Sequence, residues 1–310
     1  MRIVSLLPAA TEIVAALGLL DNLVGVSHEC DFPESVNALP RVMTCPIYKA
    51  GLTSAEIDAA VRESVARGES LYQIDIDLLA RLQPDLVLSQ MLCDVCAIGY
   101  GTVAGALASI SPRPRLLNLE PRRLVDLWAN IREVAEAVDD IGLRTNGADS
   151  AWTGGDAHPT IGRAEALIEA LQARVDAVAR KASTAGTRPR VLFLEWIDPP
   201  FAAGHWTPEL IALAGGECLL GEPGIPSQTR DWDEIAESRP DVVIVACCGY
   251  DVAAIERDMA ILAAQPFWTD FPAVRSGRVH LVDGSHYFNR PGPRLVDSLE
   301  ILARALHPDL

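Results

Sequence analysis

The sequence predicts an α/β protein of two lobes, each built on a parallel sheet, joined by a single long helix. Three observations predict it. Short runs rich in Val, Ile and Leu alternate with longer stretches of helical periodicity, the pattern of βαβ units. A set of residues in the first half recurs in the second at constant spacing. One long amphipathic stretch lies between the two halves.

In chain order, Met1-Arg2 leads directly into Ile3–Leu7, a first strand. Pro8 ends it, and Thr11 with Glu12 opens the helical pattern that fills Ala10–Leu17. Leu23–Val26, Leu86–Ser89 and Leu116–Leu119 read as further buried strands, and Leu124–Val138 as a helix. The polar, Gly-containing stretch Thr145–Pro159 reads as a loop. In Ile161–Ala182, residues Ala164, Leu167, Ile168, Leu171, Val175 and Val178 recur at helical spacing. A helix of that length spans about 33 Å. So stiff a connection predicts a small hinge motion, where a Gly/Ser linker would predict a free one. The second half offers strands at Val191–Leu194, Val242–Ala246 and Val279–Val282, with helix at Met259–Ala264. The boundaries expected are 1–160 for the first lobe, 161–183 for the connecting helix and 184–310 for the second lobe.

The recurrence is specific. Asp75, Asp77, Ala80, Pro84, Asp85 and Val87 return as Asp231, Asp233, Ala236, Pro240, Asp241 and Val243, with a constant offset (231 − 75 = 243 − 87 = 156). Each copy opens a short helix with two acidic residues, which suit its positive N-terminal end. Each then stops before Pro-Asp and runs into a strand. Arg2, Ile3 and Val4 correspond in the same way to Arg190, Val191 and Leu192.

Composition narrows the function. About half of the 310 residues are apolar and 22% are charged, so a substantial core forms. The formal charge of −16 argues against nucleic acid or an anionic membrane surface as partner, since both reward basic patches. No apolar run approaches the roughly 18 residues of a spanning helix, so no membrane insertion is expected. The start at Met1 lacks the basic, apolar and small-residue sequence of a secretory leader. Seven cysteines, an odd number, suit reduced thiols. Together these predict a cytoplasmic protein, or a periplasmic or cell-surface one if a leader has been removed.

In parallel α/β sheets, ligands bind beyond the carboxyl ends of the strands. Ser27, His28, Glu29 and Cys30 follow the second strand, and Gln90, Cys93 and Cys96 follow Leu86–Ser89. In the second half, Glu195, Trp196, His205 and Trp206 follow one strand, Cys247, Cys248 and Tyr250 the next, and Asp283, His286, Tyr287 and Phe288 the last. Five of seven cysteines and three of six histidines fall at these edges, which makes them candidates for metal chemistry, with buried apolar filling as the other reading of the cysteines, Cys247 and Cys248 above all. Cys93 and Cys96 have the spacing that lets two thiolates reach one ion, with Cys30 and Cys247 as further ligands for zinc or an iron–sulfur cluster. Phe201, Trp206, Tyr250, Tyr287 and Phe288 suit a large flat ligand instead.

With two lobes, a helix between them and the segments Ser5–Gly18, Val24–Pro33, Leu78–Leu88, Pro199–Gly216 and Arg290–Arg294, the chain resembles the substrate-binding proteins of bacterial ABC importers for cobalamin, haem and iron chelates. Among these it looks most like the cobalamin-binding members. The resemblance implies two Rossmann-like lobes and non-enzymatic capture of a corrinoid or related metal chelate in the cleft between them. It places Tyr72, Glu29, Gln90, Phe201 and Tyr287 at positions that relatives fill mainly with aromatics, and Glu29 and Gln90 depart from that pattern. His28, His205, Trp206 and Phe288 complete the expected contact set. It also implies that Asp77 and Asp233, one per lobe, dock onto arginines of an ABC permease if the protein is exported, where the residues alone suggest helix capping.

Two alternatives stand beside this. One is direct metal-ion or metal-cluster binding by the cysteines and histidines. The other is a thiol-dependent enzyme, with Cys93 as nucleophile or Glu29 and Glu195 as acid and base. No Gly-x-Ser-x-Gly elbow, Walker loop or Gly-x-Gly-x-x-Gly follows the first strand, so a non-enzymatic protein is expected.

Overall fold

The computed structural model describes residues 1–46, 51–90, 100–145 and 158–309. The chain forms two compact units. The first takes in Met1–Tyr48, Val61–Pro121 and Val125–Ala170, and the second Lys49–Ala60, Arg122–Leu124 and Leu171–Leu310.

The first unit holds a six-stranded sheet. Its strands are β1 (Ile3–Ser5), β2 (Leu23–Ser27), β3 (Arg41–Thr44), β4 (Gln73–Ile74), β5 (Leu86–Gln90) and β6 (Arg115–Leu119), in the order β4-β3-β2-β1-β5-β6. All neighbours are parallel except β3 and β4, so the sheet is mixed, with one antiparallel strand at its edge. Central β1 and β5 are buried along almost their whole length, as strands covered on both faces must be. The sheet's helices are α1 (Pro8–Ala16), α2 (Ser54–Ala66), α3 (Ile76–Leu82), α4 (Tyr100–Ala108) and α5 (Leu124–Thr145). Helix α1 begins at Pro8 itself, earlier than Thr11, because proline suits the first helical position where no N–H is needed. Thr11 and Glu12 are therefore buried inside the helix.

Helix α6 (Pro159–Ala182) buries Ala164, Ile168, Leu171 and Val175, the stripe its spacing predicts. Its twenty-four residues span about 36 Å. The buried Asp139 carboxylate on α5 accepts the Thr160 N–H at 3.2 Å and the Ile161 N–H at 3.1 Å, satisfying two orphan donors of its first turn. The chain passes from the first unit to the second within α6, and Ala170 and Leu171 fall on either side of the division. The expected loop Thr145–Pro159 lies for the most part outside the described residues.

The second unit holds β7 (Arg190–Trp196), β8 (Phe201–Ala202), β9 (Glu217–Leu219), β10 (Val242–Val245) and β11 (Val279–Leu281). The order is β11-β10-β7-β8, with β9 also paired to β7. Here too one strand, β8, runs antiparallel. Around the sheet lie α7 (Thr207–Leu213), α8 (Trp232–Ser238), α9 (Val252–Ala263), α10 (Pro272–Arg275) and α11 (Leu295–Leu306). Arg174 on α6 reaches Asp297 at 2.6 Å and Glu300 at 2.8 Å on α11. Among the described residues no helix is long and apolar enough to cross a membrane.

Candidate functional site

At the carboxyl end of β2 the chain turns tightly. His28 N–H donates to Met43 O at 3.0 Å, and the Arg41 guanidinium ties down the carbonyls of Ser27 (2.9 Å) and Cys30 (2.6 Å). This turn sends Cys30 inward. It is fully buried, with the Thr11 hydroxyl donating to its Sγ at 3.1 Å and the Ser27 Oγ at 3.3 Å. His28 stays half-buried, its ring 6.1 Å from Tyr72 and its Nε2 3.8 Å from Glu29. Neither His28 ring nitrogen has a hydrogen-bond partner among the described residues. Tyr72 is buried in the core of the first unit. Gln90, the last residue of β5, is half-buried.

The second unit presents more. Glu195 near the end of β7 accepts the Gly204 N–H at 2.9 Å on one oxygen and the Ser227 hydroxyl on the other. Burial pushes its carboxyl up to about 7. His205 follows in the left-handed region (φ 51°), half-buried and stacked on Trp206 at 5.4 Å. Burial, with Arg122 nearby, lowers the His205 pKa. Trp206 is itself buried and donates its indole N–H to Phe288 O at 2.6 Å. Phe288 is 1% exposed and packs edge-on against Phe193 at 4.9 Å. Trp206 and Phe288 are thus buried and joined to each other, while Phe201, His205 and Tyr287 of the same unit are half-buried. Arg294 lies over the Tyr287 ring at 5.9 Å, and Asp283 holds His286 Nδ1 at 2.7 Å. In the same unit Ala203, Gly221, Ile225, Gln228 and Arg230 line a cavity of about 270 Å³.

Among the described residues no group of three His, Cys, Asp or Glu side chains is placed to hold a metal ion. Cys247 is fully buried, and burial raises its thiol pKa. Cys30 is likewise buried, with its thiol hydrogen-bonded to hydroxyls. Cys93 and Cys96 lie outside the described residues.

Asp77 and Asp233 are exposed in the first turns of α3 and α8. They are not the caps. Asp75 caps α3 by accepting the Leu78 N–H at 2.8 Å, and Asp231 caps α8 in a reciprocal box with Glu234. The sequence reading missed the clasp on Glu195, because its partners Gly204 and Ser227 sit in unpatterned loops. Their one signal was the glycine density of 204–224.

A model of the periplasmic binding protein family matches residues 159–285. A vitamin B12-binding protein of Vibrio vulnificus (strain YJ016) is 24% identical over 303 residues, covering 96% of this chain and 87% of that protein. An ABC transporter substrate-binding protein from Listeria monocytogenes EGD-e matches in structure with a TM-score of 0.71 at 17% identity, over 99% of both chains. The periplasmic haem-binding protein of Vibrio cholerae matches with a TM-score of 0.69 at 21% identity, again over 99% of both.

These relatives overturn the cytoplasmic expectation. The family model and the haem-binding neighbour are of periplasmic proteins. Free cysteines do not report the compartment when, like Cys30, Cys45 and Cys247, they are buried away from any oxidant. The proteins matched are binding proteins, not catalysts. The chain has the class III periplasmic-binding-protein fold, shared with solved vitamin B12- and haem-binding proteins, and is similar in sequence over nearly its whole length to vitamin B12-binding proteins.

Proposed function

We propose that this protein binds a tetrapyrrole-type metal chelate, a corrinoid or haem, and delivers it to an ABC permease without chemical change. One observation carries the reading. The half-buried His205 ring stacks on buried Trp206, whose indole N–H holds the carbonyl of buried Phe288, the residue after half-buried Tyr287, and Phe201 stands half-buried on β8 of the same unit. Flat aromatic and imidazole faces suit a macrocycle. In the first unit, half-buried His28, Glu29 and Gln90 stand at the carboxyl ends of β2 and β5, with the Tyr72 ring 6.1 Å from that of His28. The names of the relatives, vitamin B12-binding and haem-binding, support the same ligand class. In this reading 1–160 and 184–310 act as lobes about the 161–183 helix, and the exposed Asp77 and Asp233 meet the permease.

Titrating the purified protein with haemin and, separately, with cyanocobalamin tests this by absorbance. One-to-one binding of either, weakened at least tenfold by Phe201→Ala or Tyr287→Ala, is expected. Binding of neither overturns the reading.

A further inference from the structure

The Glu195 carboxylate ties two loops together. One oxygen accepts the Gly204 backbone N–H and the other the Ser227 hydroxyl. The two loops also lock onto each other. His205 N–H donates to Ile225 O at 2.6 Å, and Gly224 N–H returns a bond to His205 O at 2.7 Å. Their backbones approach so closely that only glycine fits. A Cβ on Gly204 would stand 2.1 Å from Ser227 N, and one on Gly221 2.4 Å from Ala203 O. Between these contacts His205 holds a left-handed backbone, which a non-glycine residue adopts only when its surroundings impose it.

We infer that Glu195 is a positioning residue: by clasping Gly204 and Ser227 on one carboxylate it imposes the left-handed His205 backbone and so sets the His205 ring toward the ligand. The clasp follows from the geometry alone, and its effect on affinity rests on the binding function proposed above.

The groups facing Glu195 leave it as the one that titrates near neutrality. Cys218 on β9 is pushed up to about 12 by burial and by Glu195 itself, and Cys247 after β10 is pushed higher still. Burial, with Arg122 nearby, lowers the His205 pKa, and Glu195→Gln separates the contribution of Glu195 from that of this ring. The sign follows from linkage. With the loops clasped, the Glu195 carboxyl titrates at about 7, and once they open to water it titrates near its ordinary 4.5. The clasped state thus binds the proton more tightly. Clasping is strongest at low pH, weakens as pH rises from about 4.5 to 7, and is level above.

Hydrogen exchange and ligand titration together test this on the full chain. In the ligand-free protein, Glu195→Ala should lower the protection of the Gly204, His205 and Gly224 amides at least tenfold relative to the rest of the second sheet. Glu195→Gln, which keeps one acceptor oxygen for the Gly204 N–H and presents an amide that can donate to the Ser227 hydroxyl, without the charge, should restore most of that protection. It should also abolish the fall in wild-type protection factors between pH 5 and 7. Haemin and cyanocobalamin should each bind Glu195→Ala as weakly as His205→Ala, and the double variant no more weakly. Unchanged loop protection in Glu195→Ala, or a pH dependence that persists in Glu195→Gln, overturns the clasp. Lost protection with unchanged affinity overturns its role in positioning His205. If the wild-type protein binds neither probe, the binding function itself fails, while the exchange measurements still decide the clasp.

Discussion

The Asp85 carboxylate accepts the backbone N–H of Arg2 at 2.7 Å, and the chain returns the bond through Asp85 N–H to Arg2 O at 2.8 Å. The second unit repeats the arrangement. Asp241 accepts the Arg190 N–H at 2.9 Å, and Asp241 N–H donates to Arg190 O at 2.9 Å. The residues before Pro84 and Pro240, Gln83 and Arg239, both take left-handed backbones near φ 40°. The sequence recurrence is thus a duplication of hydrogen bonds: helix end, left-handed cap, Pro-Asp, strand. In each copy the aspartate fastens the strand it precedes to the first strand of its unit.

Asp85→Ala and Asp241→Ala should each cost about 1 kcal/mol, the worth of one hydrogen bond to a partly exposed carboxylate. Urea unfolding monitored by circular dichroism checks this. The two losses should be similar, since the contacts are equivalent.

Capping separates the acidic pairs. Asp75→Ala should cost about 1 kcal/mol, because Asp75 caps α3 through the Leu78 N–H. Asp77→Ala and Asp233→Ala should stay within about 0.5 kcal/mol of wild type, as both are exposed and neither caps. In reconstituted vesicles carrying its permease, the same two substitutions should lower affinity for the transporter without altering ligand affinity.

Phe193 on β7 is fully buried against Phe288. Phe193→Ala should destabilise the protein by about 3–5 kcal/mol through lost burial and the cavity left behind. A calorimetric scan checks it, and Phe193→Leu should recover much of the loss.

Gly284→Ala tests the tightest backbone approach after β11, where a Cβ would stand 2.1 Å from Cys247 O. Nothing flexible is there to give way. The substitution should lower the melting temperature by several degrees, or prevent folding, whereas Gly101→Ala, with open space around it, should be tolerated.

Thiol labelling mapped by mass spectrometry should find Cys30, Cys45 and Cys247 unmodified in the native protein at pH 8. A thiol whose pKa is raised carries less thiolate at any given pH, so Cys218, at about 12, should also react far more slowly than free cysteine up to pH 9. All four should react once the protein is unfolded in guanidinium.

The apolar central strands were plain in the sequence, since strands buried on both faces read as continuous Val, Ile and Leu runs, whatever their length: Ile3–Leu7 contains β1, and Val242–Ala246 contains β10. The long helix after residue 158 was plain too, because its buried stripe repeats at 3.6 residues. The short strands β3, β4, β8 and β9 were not legible. They have two to four residues and are held by pairing to a neighbour rather than by an apolar pattern of their own. Helix α2, at Ser54–Ala66, is mixed in composition and was passed over for the same want of an apolar stripe.

At the candidate site the sequence alone determined which residues stand at the strand ends, because alternation of strand and helix sets that order before any packing occurs. Only the tertiary structure decided which way they face. Trp206 and Phe288 turn into the core and His205 turns out, and Cys30 and Cys247 become buried thiols, because each direction depends on contacts from residues distant in the chain. The Glu195 clasp is the clearest case: its carboxylate joins Gly204 to Ser227 across segments that share no pattern, and proximity in space is the one property they have in common.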